Sequence, residues 1–167
     1  MLKGTTHIAF ATTIYTSLNT ITLIEPQLFL CMMVGALAPD IDKKNTMISN
    51  RLFKLPFVTH RKETHSLVTS LVIATILCIC FPKASTWIIA FFIGVLSHIL
   101  LDMFNLRGVY LLWPFTKTRI SFRKKNTSLP SYVVRKREKW IDHICMIGFT
   151  AISIFLIVYQ SSLFMLP

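Results

Sequence analysis

Apolar residues gather into five runs separated by polar breaks. The first, 8–24 (IAFATTIYTSLNTITLI), is apolar but rich in threonine. The second, 27–38 (QLFLCMMVGALA), follows Glu25-Pro26, a turn signal. The third, 67–81 (LVTSLVIATILCICF), stops before Pro82-Lys83. The fourth, 86–104 (TWIIAFFIGVLSHILLDMF), is interrupted by His98 and Asp102. The fifth, 141–166, opens behind Trp140 and carries Tyr159 near its far end. A helix needs about 20 residues to cross the hydrocarbon core of a bilayer. Runs 86–104 and 141–166 reach that length. Runs 27–38 and 67–81 are short, and span only if flanking residues extend them; otherwise they are buried in the bundle. The pattern predicts an all-α polytopic membrane bundle of four to five helices, one domain over 1–167. The alternative is a compact helical protein sunk into one leaflet.

Composition narrows the class. The 167 residues are 53% hydrophobic and 15% charged, with a mean hydropathy of +0.60. A disordered basic protein would be far more polar. Cys31, Cys78, Cys80 and Cys145 all lie inside apolar runs, which predicts free thiols, not a disulfide framework. Ala36-Leu37-Ala38 mimics a signal-peptide cleavage site, but Lys3 lies too far upstream to serve as its basic region, so no cleavage is expected.

Charge adds an orientation. Lys and Arg number 18 against 7 acids, for a net charge of +11. Basic residues are retained on the cytoplasmic side. With five crossings and Lys3 inside, only Lys83 falls outside, so the chain is expected N-in/C-out. A basic cytoplasmic loop then covers 105–140. Its core, 116–139, holds nine Lys/Arg and one acid, Glu138. It is expected to anchor topology by touching anionic headgroups; nucleic-acid binding is the less favoured reading.

With so few acids, their placement carries information. Gly94, His98 and Asp102 fall at i, i+4 and i+8 on one helical stripe. His98 and Asp102 are one turn apart and can reach a common ion. Gly94 lets a neighbouring helix come close. Asp40 and Asp42 follow Pro39 at the end of the second run, where a helix C-terminus disfavours anions. His60-Arg61-Lys62-Glu63-Thr64-His65-Ser66 precedes the third run, with Thr64 as the expected N-cap and Arg61 able to grip a phosphate bidentately. His7 opens the first run. In the proposed topology His7, Asp40, Asp42, His60, His65 and Asp102 all lie at the inner ends of helices, with His98 one turn deeper. A His/Asp metal site explains this clustering, and such ligands suit Zn²⁺, or Mn²⁺ or Fe²⁺ with more carboxylate. Asp142 and His143 reach the same depth and, with His60, are candidates for supporting the ligands.

The order His7, Pro39-Asp40-Ile41-Asp42, His60-Arg61-x-x-Thr64-His65-Ser66 and Gly94-x3-His98-x3-Asp102 resembles the YdjM-like family of bacterial inner-membrane proteins, described as metal-dependent hydrolases. The resemblance covers residues 1–115. Lys62 stands where the family usually has a small residue. More distantly, the order is similar to the zinc-dependent phospholipase C and P1 nuclease superfamily. That likeness implies one metal held by Asp40 or Asp42 with His65, His98 and Asp102. It implies a second held by His7 and Asp102, aided by the chain terminus. Ligands for a third have no match, since Ile147 stands where His143 would need its partner.

These readings converge on a membrane-bound metal-dependent hydrolase with one or two ions, most simply zinc, cleaving a phosphoester at the cytoplasmic face. Asp40, Asp42, Arg61 and Glu63 are its candidate catalytic groups. The substrate expected is an anionic lipid or another phosphoester. The competing reading is a non-catalytic membrane adaptor that recruits a partner through the basic loop. A metal transporter is disfavoured because the polar residues gather at one side.

Overall fold

A computed structural model describes residues 2–40, 64–106, 108–123 and 130–164. The described residues form five α-helices: α1 Gly4–Ile21, α2 Pro26–Leu37, α3 Leu67–Cys80, α4 Ser85–Met103 and α5 Ser131–Phe164. Single 3₁₀ turns extend α2 (Ala38–Asp40) and precede α4 (Pro82–Ala84). Among the described residues there is no strand, only an isolated bridge between Val109 and Ile120.

Four helices begin and end close to the apolar runs. The fifth departs from its run. It starts at Ser131, ten residues before 141, and so takes the end of the basic loop into a helix of 34 residues. Nothing in 131–139 forbids helix, and Arg, Lys and Glu are good helix formers.

Two helical segments, Pro82–Met103 and Ser131–Ser162, are long and apolar enough to cross a membrane. At 1.5 Å per residue, α2 and α3 span about 18 and 21 Å, less than the roughly 30 Å of a hydrocarbon core. The bundle is apolar outside, and beside a small apolar core its interior carries an unusual share of polar groups. Ile73, Ile76 and Ile79 of α3 and Ile147, Phe155 and Val158 of α5 are exposed. The buried set instead holds Thr6, His7, Thr16, Ser70, Ser97, His98, Asp102, Asn105, Asp142 and Ser153. This inversion suits a lipid surround, where apolar side chains lose nothing outside and polar groups must be satisfied within.

The helices pair in two ways. α2 packs most extensively on α4, through backbones in close approach. A Cβ on Gly35 would lie 1.9 Å from the Phe91 carbonyl oxygen, and one on Gly94 would lie 2.1 Å from that of Met32. α1 packs on α5 through polar groups. Thr13 Oγ1 lies 3.0 Å from both the Phe149 carbonyl and Ser153 Oγ. Farther along, Asn19 Nδ2 donates to Gln160 Oε1, and Gln160 Nε2 donates back to the Asn19 carbonyl, each at 3.1 Å. The threonine content of the first run is thus partly a helix–helix seam.

The start of α1 is held by α5. Lys3, its N-cap, offers no side-chain cap. Asp142 accepts instead from the Lys3 N–H at 2.9 Å and from Thr6 Oγ1 at 2.5 Å. A buried carboxylate at the positive end of a helix is favourably placed. Replacing Asp142 with alanine strands both donors, and hydrogen bonds to charged groups are worth about 2 kcal/mol. Asp142→Ala is therefore expected to lower the thermal midpoint of detergent-purified protein by several degrees, with Asp142→Asn recovering part of the loss.

Candidate metal centre

Four helix ends meet at one end of the bundle. The start of α1 supplies His7, the 3₁₀ turn after α2 supplies Asp40, the residue before the N-cap of α3 supplies His65, and the last turns of α4 supply His98 and Asp102. All five are buried: His7, His65 and Asp102 are fully enclosed, His98 is 1% exposed and Asp40 6%.

Local chemistry aims each side chain. Gly94 brings α2 against α4, so His98 Nδ1 reaches the Ala36 carbonyl at 2.7 Å. That carbonyl lies in the last turn of α2, where acceptors lack helical partners. A carbonyl can only accept, so Nδ1 donates to it and Nε2 is the ring nitrogen turned toward Asp40 and Asp102. His98 Nε2 is buried and has no hydrogen-bond partner among the described residues. The α3 start is set by Ser66, not by Thr64 as the sequence suggested. Ser66 Oγ accepts from the Thr69 N–H at 3.3 Å and donates to the Trp113 carbonyl at 2.6 Å. Thr64 Oγ1 instead meets His65 Nδ1 at 2.9 Å, which turns Nε2 inward.

The donor atoms then face one another. His65 Nε2 lies 3.5 Å from Asp102 Oδ2 and 3.9 Å from Asp40 Oδ1. His98 Nε2 lies 4.0 Å from Asp102 Oδ2 and 3.9 Å from Asp40 Oδ1. His7 Nε2 lies 3.7 Å from Asp102 Oδ1, and its ring stacks on His98 with centroids 3.8 Å apart. These separations exceed a good hydrogen bond. They lie near the edge, about 3.3 Å, of a tetrahedron built on the bond lengths of zinc sites. Two overlapping triads, His7–His98–Asp102 and Asp40–His65–His98, are compact enough to hold an ion. Two carboxylates and three imidazoles supply oxygen and nitrogen donors of the kind that bind divalent cations. The donor set therefore fits a metal ion.

The structure brings together His7, Asp40, His65, His98 and Asp102 of the expected set. Asp42, His60, Arg61 and Glu63 lie outside the described residues, as does the chain terminus at Met1. Asp142 supports the site indirectly, by holding α1 one residue before His7. His143 is not part of it: it is exposed, with Nδ1 bonded to the Lys139 carbonyl of its own helix. Asn105 belongs beside the ligands although the sequence did not single it out. Its Nδ2 donates to Asp102 Oδ1, and its Oδ1 accepts from the Leu2 N–H at 3.2 Å. It ties the end of α4 to the start of α1. The only sequence signal was an amide three residues beyond an acid, which is weak.

An inverted bundle with two membrane-length helices and an enclosed His/Asp cage defines a membrane protein organised around an internal polar site. Its family follows from comparison: the chain belongs to the YdjM inner membrane protein family, whose model matches residues 1–164. It is 34% identical over 125 residues to the inner membrane protein YdjM of Escherichia coli, covering 68% of this chain and 59% of that protein. The Shigella flexneri protein of the same name matches equally. An uncharacterized protein of Bacillus subtilis, YfhP, is 30% identical over 105 residues, covering 59% of this chain and 31% of its own. The chain thus spans 59% of the length of the YdjM relatives it matches. No solved structure matches it.

Proposed function

We propose that this chain is a membrane-embedded metal-dependent hydrolase that cleaves a phosphoester at the cytoplasmic face of the inner membrane. The reading includes the N-in/C-out bundle with the site facing the cytoplasm. One observation carries it: five buried His and Asp side chains, from four helix ends, converge with donor atoms 3.5–4.0 Å apart. Ionisable groups in such a bundle are costly and are retained for function. The similarity of the ligand order to zinc phosphoesterases supports the reaction class.

His65, His98, Asp40 and Asp102 would hold one ion, and His7 with Asp102 a second if two are bound. Zinc in such a site supplies a water acidified toward a pKa of about 7 and a Lewis acid for a phosphoryl oxygen. Arg61 binds the anionic phosphoryl group. With Asp40 among the ligands, Asp42 would be the carboxylate left to take the proton from the water. The hydrogen bond from His98 to Ala36 and that from Asn105 to Asp102 hold the ligands in orientation.

Metal analysis of protein purified from metal-replete cells tests the reading, followed by hydrolysis assays on a chromogenic phosphodiester, a phosphomonoester and phospholipids. Stoichiometric zinc, manganese or iron is expected, with hydrolysis that is lost on chelation and restored by the ion. A metal-free protein under those conditions would overturn the proposal. Bound metal without hydrolysis of any ester, together with function abolished by charge reversal in 116–139, would establish the adaptor in its place.

A further inference from the structure

The early extension of α5 creates a surface that the metal centre does not use. Tyr132, Lys136 and Lys139 fall on one helical stripe, with Arg135 beside them. With Ser131 they line an open groove of about 270 Å³. All five are exposed. Among the described residues, no carboxylate lines the groove. The nearest acid in sequence, Glu138, points away and lines a separate crevice with Arg123, Cys145 and Phe149.

The same stripe continues down α5 into apolar residues. Trp140 is exposed just below Lys136, then Ile144, Ile147, Ile154, Phe155 and Val158 follow along the face. These lie within the membrane-length segment Ser131–Ser162. The groove therefore opens at the level where an indole prefers the headgroup boundary, above a face that suits acyl chains. Three cations, a phenol and an interfacial tryptophan in continuity with an apolar strip match one amphiphile, with its phosphate above and its chains below.

We propose that the Tyr132–Arg135–Lys136–Lys139 face is a docking site for the headgroup of an anionic phospholipid. The cations contact the phosphate, the Tyr132 hydroxyl donates to it, and the acyl chains lie along Ile144, Ile147 and Ile154. The site is distinct from the metal cage and does not depend on the hydrolase reading. Each cation near an anionic surface strengthens attraction by about fivefold.

The full chain in phosphatidylcholine vesicles tests this, with a trace of spin-labelled phosphatidylglycerol or spin-labelled phosphatidylcholine. Electron paramagnetic resonance reads the lipid fraction immobilised at the protein. The wild type is expected to immobilise phosphatidylglycerol several-fold in excess of phosphatidylcholine. The triple variant Arg135→Gln, Lys136→Gln, Lys139→Gln should lose that excess while still immobilising phosphatidylcholine, which shows that the bundle remains folded. A control of equal charge loss, Lys83→Gln, Lys117→Gln, Arg119→Gln, should keep the excess. An excess unchanged in the groove variant, or lost equally in the control, would overturn the site. Loss of the excess in millimolar inorganic phosphate at fixed ionic strength would overturn the lipid and assign the groove to the free ion.

Discussion

Replacing His98 with alanine is expected to raise the Kd for zinc by more than about 100-fold, leaving purified protein without metal after dialysis. His98 is common to both triads, so its loss breaks either way of holding an ion. Even residues that only orient ligands usually cost 10–100-fold in metal affinity, and a direct ligand costs more. Removing the ring also deletes the bond to Ala36 and the stack against His7, so some stability is lost whatever the site binds. Asp102→Asn separates these effects, since it keeps shape while removing the charge an ion requires. Thermal unfolding supplies a readout independent of activity. A ligand at about 1,000 times its Kd stabilises the folded state by roughly 4 kcal/mol. Chelation should therefore lower the wild-type midpoint by several degrees and leave both variants unmoved. A wild type insensitive to chelation and zinc, or an Asp102→Asn variant that retains full metal, would remove the cage from consideration.

How much of this cage was legible in the sequence depended on how each ligand is held. His98 and Asp102 were readable because helical spacing alone puts them on one stripe, and Gly94 marked a close crossing. His7, Asp40 and His65 were readable from the residues themselves as polar groups at helix ends of one side, and the family resemblance grouped them with His98 and Asp102 as ligands. Their convergence required the tertiary pairing of α2 with α4 and of α1 with α5, which no local pattern encodes. Asn105 was missed because its role is to bridge two helix ends far apart in sequence. The capping residue of α3 was misplaced by two positions because Thr64, Ser66 and their neighbours are similar as caps; the choice is made by the Trp113 carbonyl, which claims the Ser66 hydroxyl. His143 was misjudged because helix depth gives no direction around the axis. The start of α5 was hidden by charge: hydropathy stops at Trp140, whereas helix formation continues through the solvated basic turns. The threonine content of the first run had no evident partner in the sequence; Thr6 and Thr13 serve α5 along a polar seam.

Gly94→Ala is expected to be among the most damaging single-methyl changes at the described glycines, together with Gly35→Ala. A Cβ at position 94 would lie 2.1 Å from the Met32 carbonyl oxygen and 2.8 Å from the Ala36 nitrogen. Both obstacles are backbone, so no rotamer change relieves them. The helices must retreat by more than about 1 Å to reach van der Waals separation. Overpacking of side chains costs about 1–3 kcal/mol, and a clash with backbone should reach or exceed the upper figure. The retreat carries Ala36 away from His98, stretching the 2.7 Å bond that holds the imidazole with Nε2 inward. Metal affinity should therefore fall about 10–100-fold along with stability, although position 94 supplies no ligand. Gly148 gives the contrast. A Cβ there meets nothing within 4 Å, and alanine in a helix is favoured over glycine by about 0.5–1 kcal/mol. Gly148→Ala should leave zinc affinity unchanged and hold or raise the thermal midpoint. Gly94→Ala with undiminished midpoint and metal content would show that the close α2–α4 crossing does not position the cage.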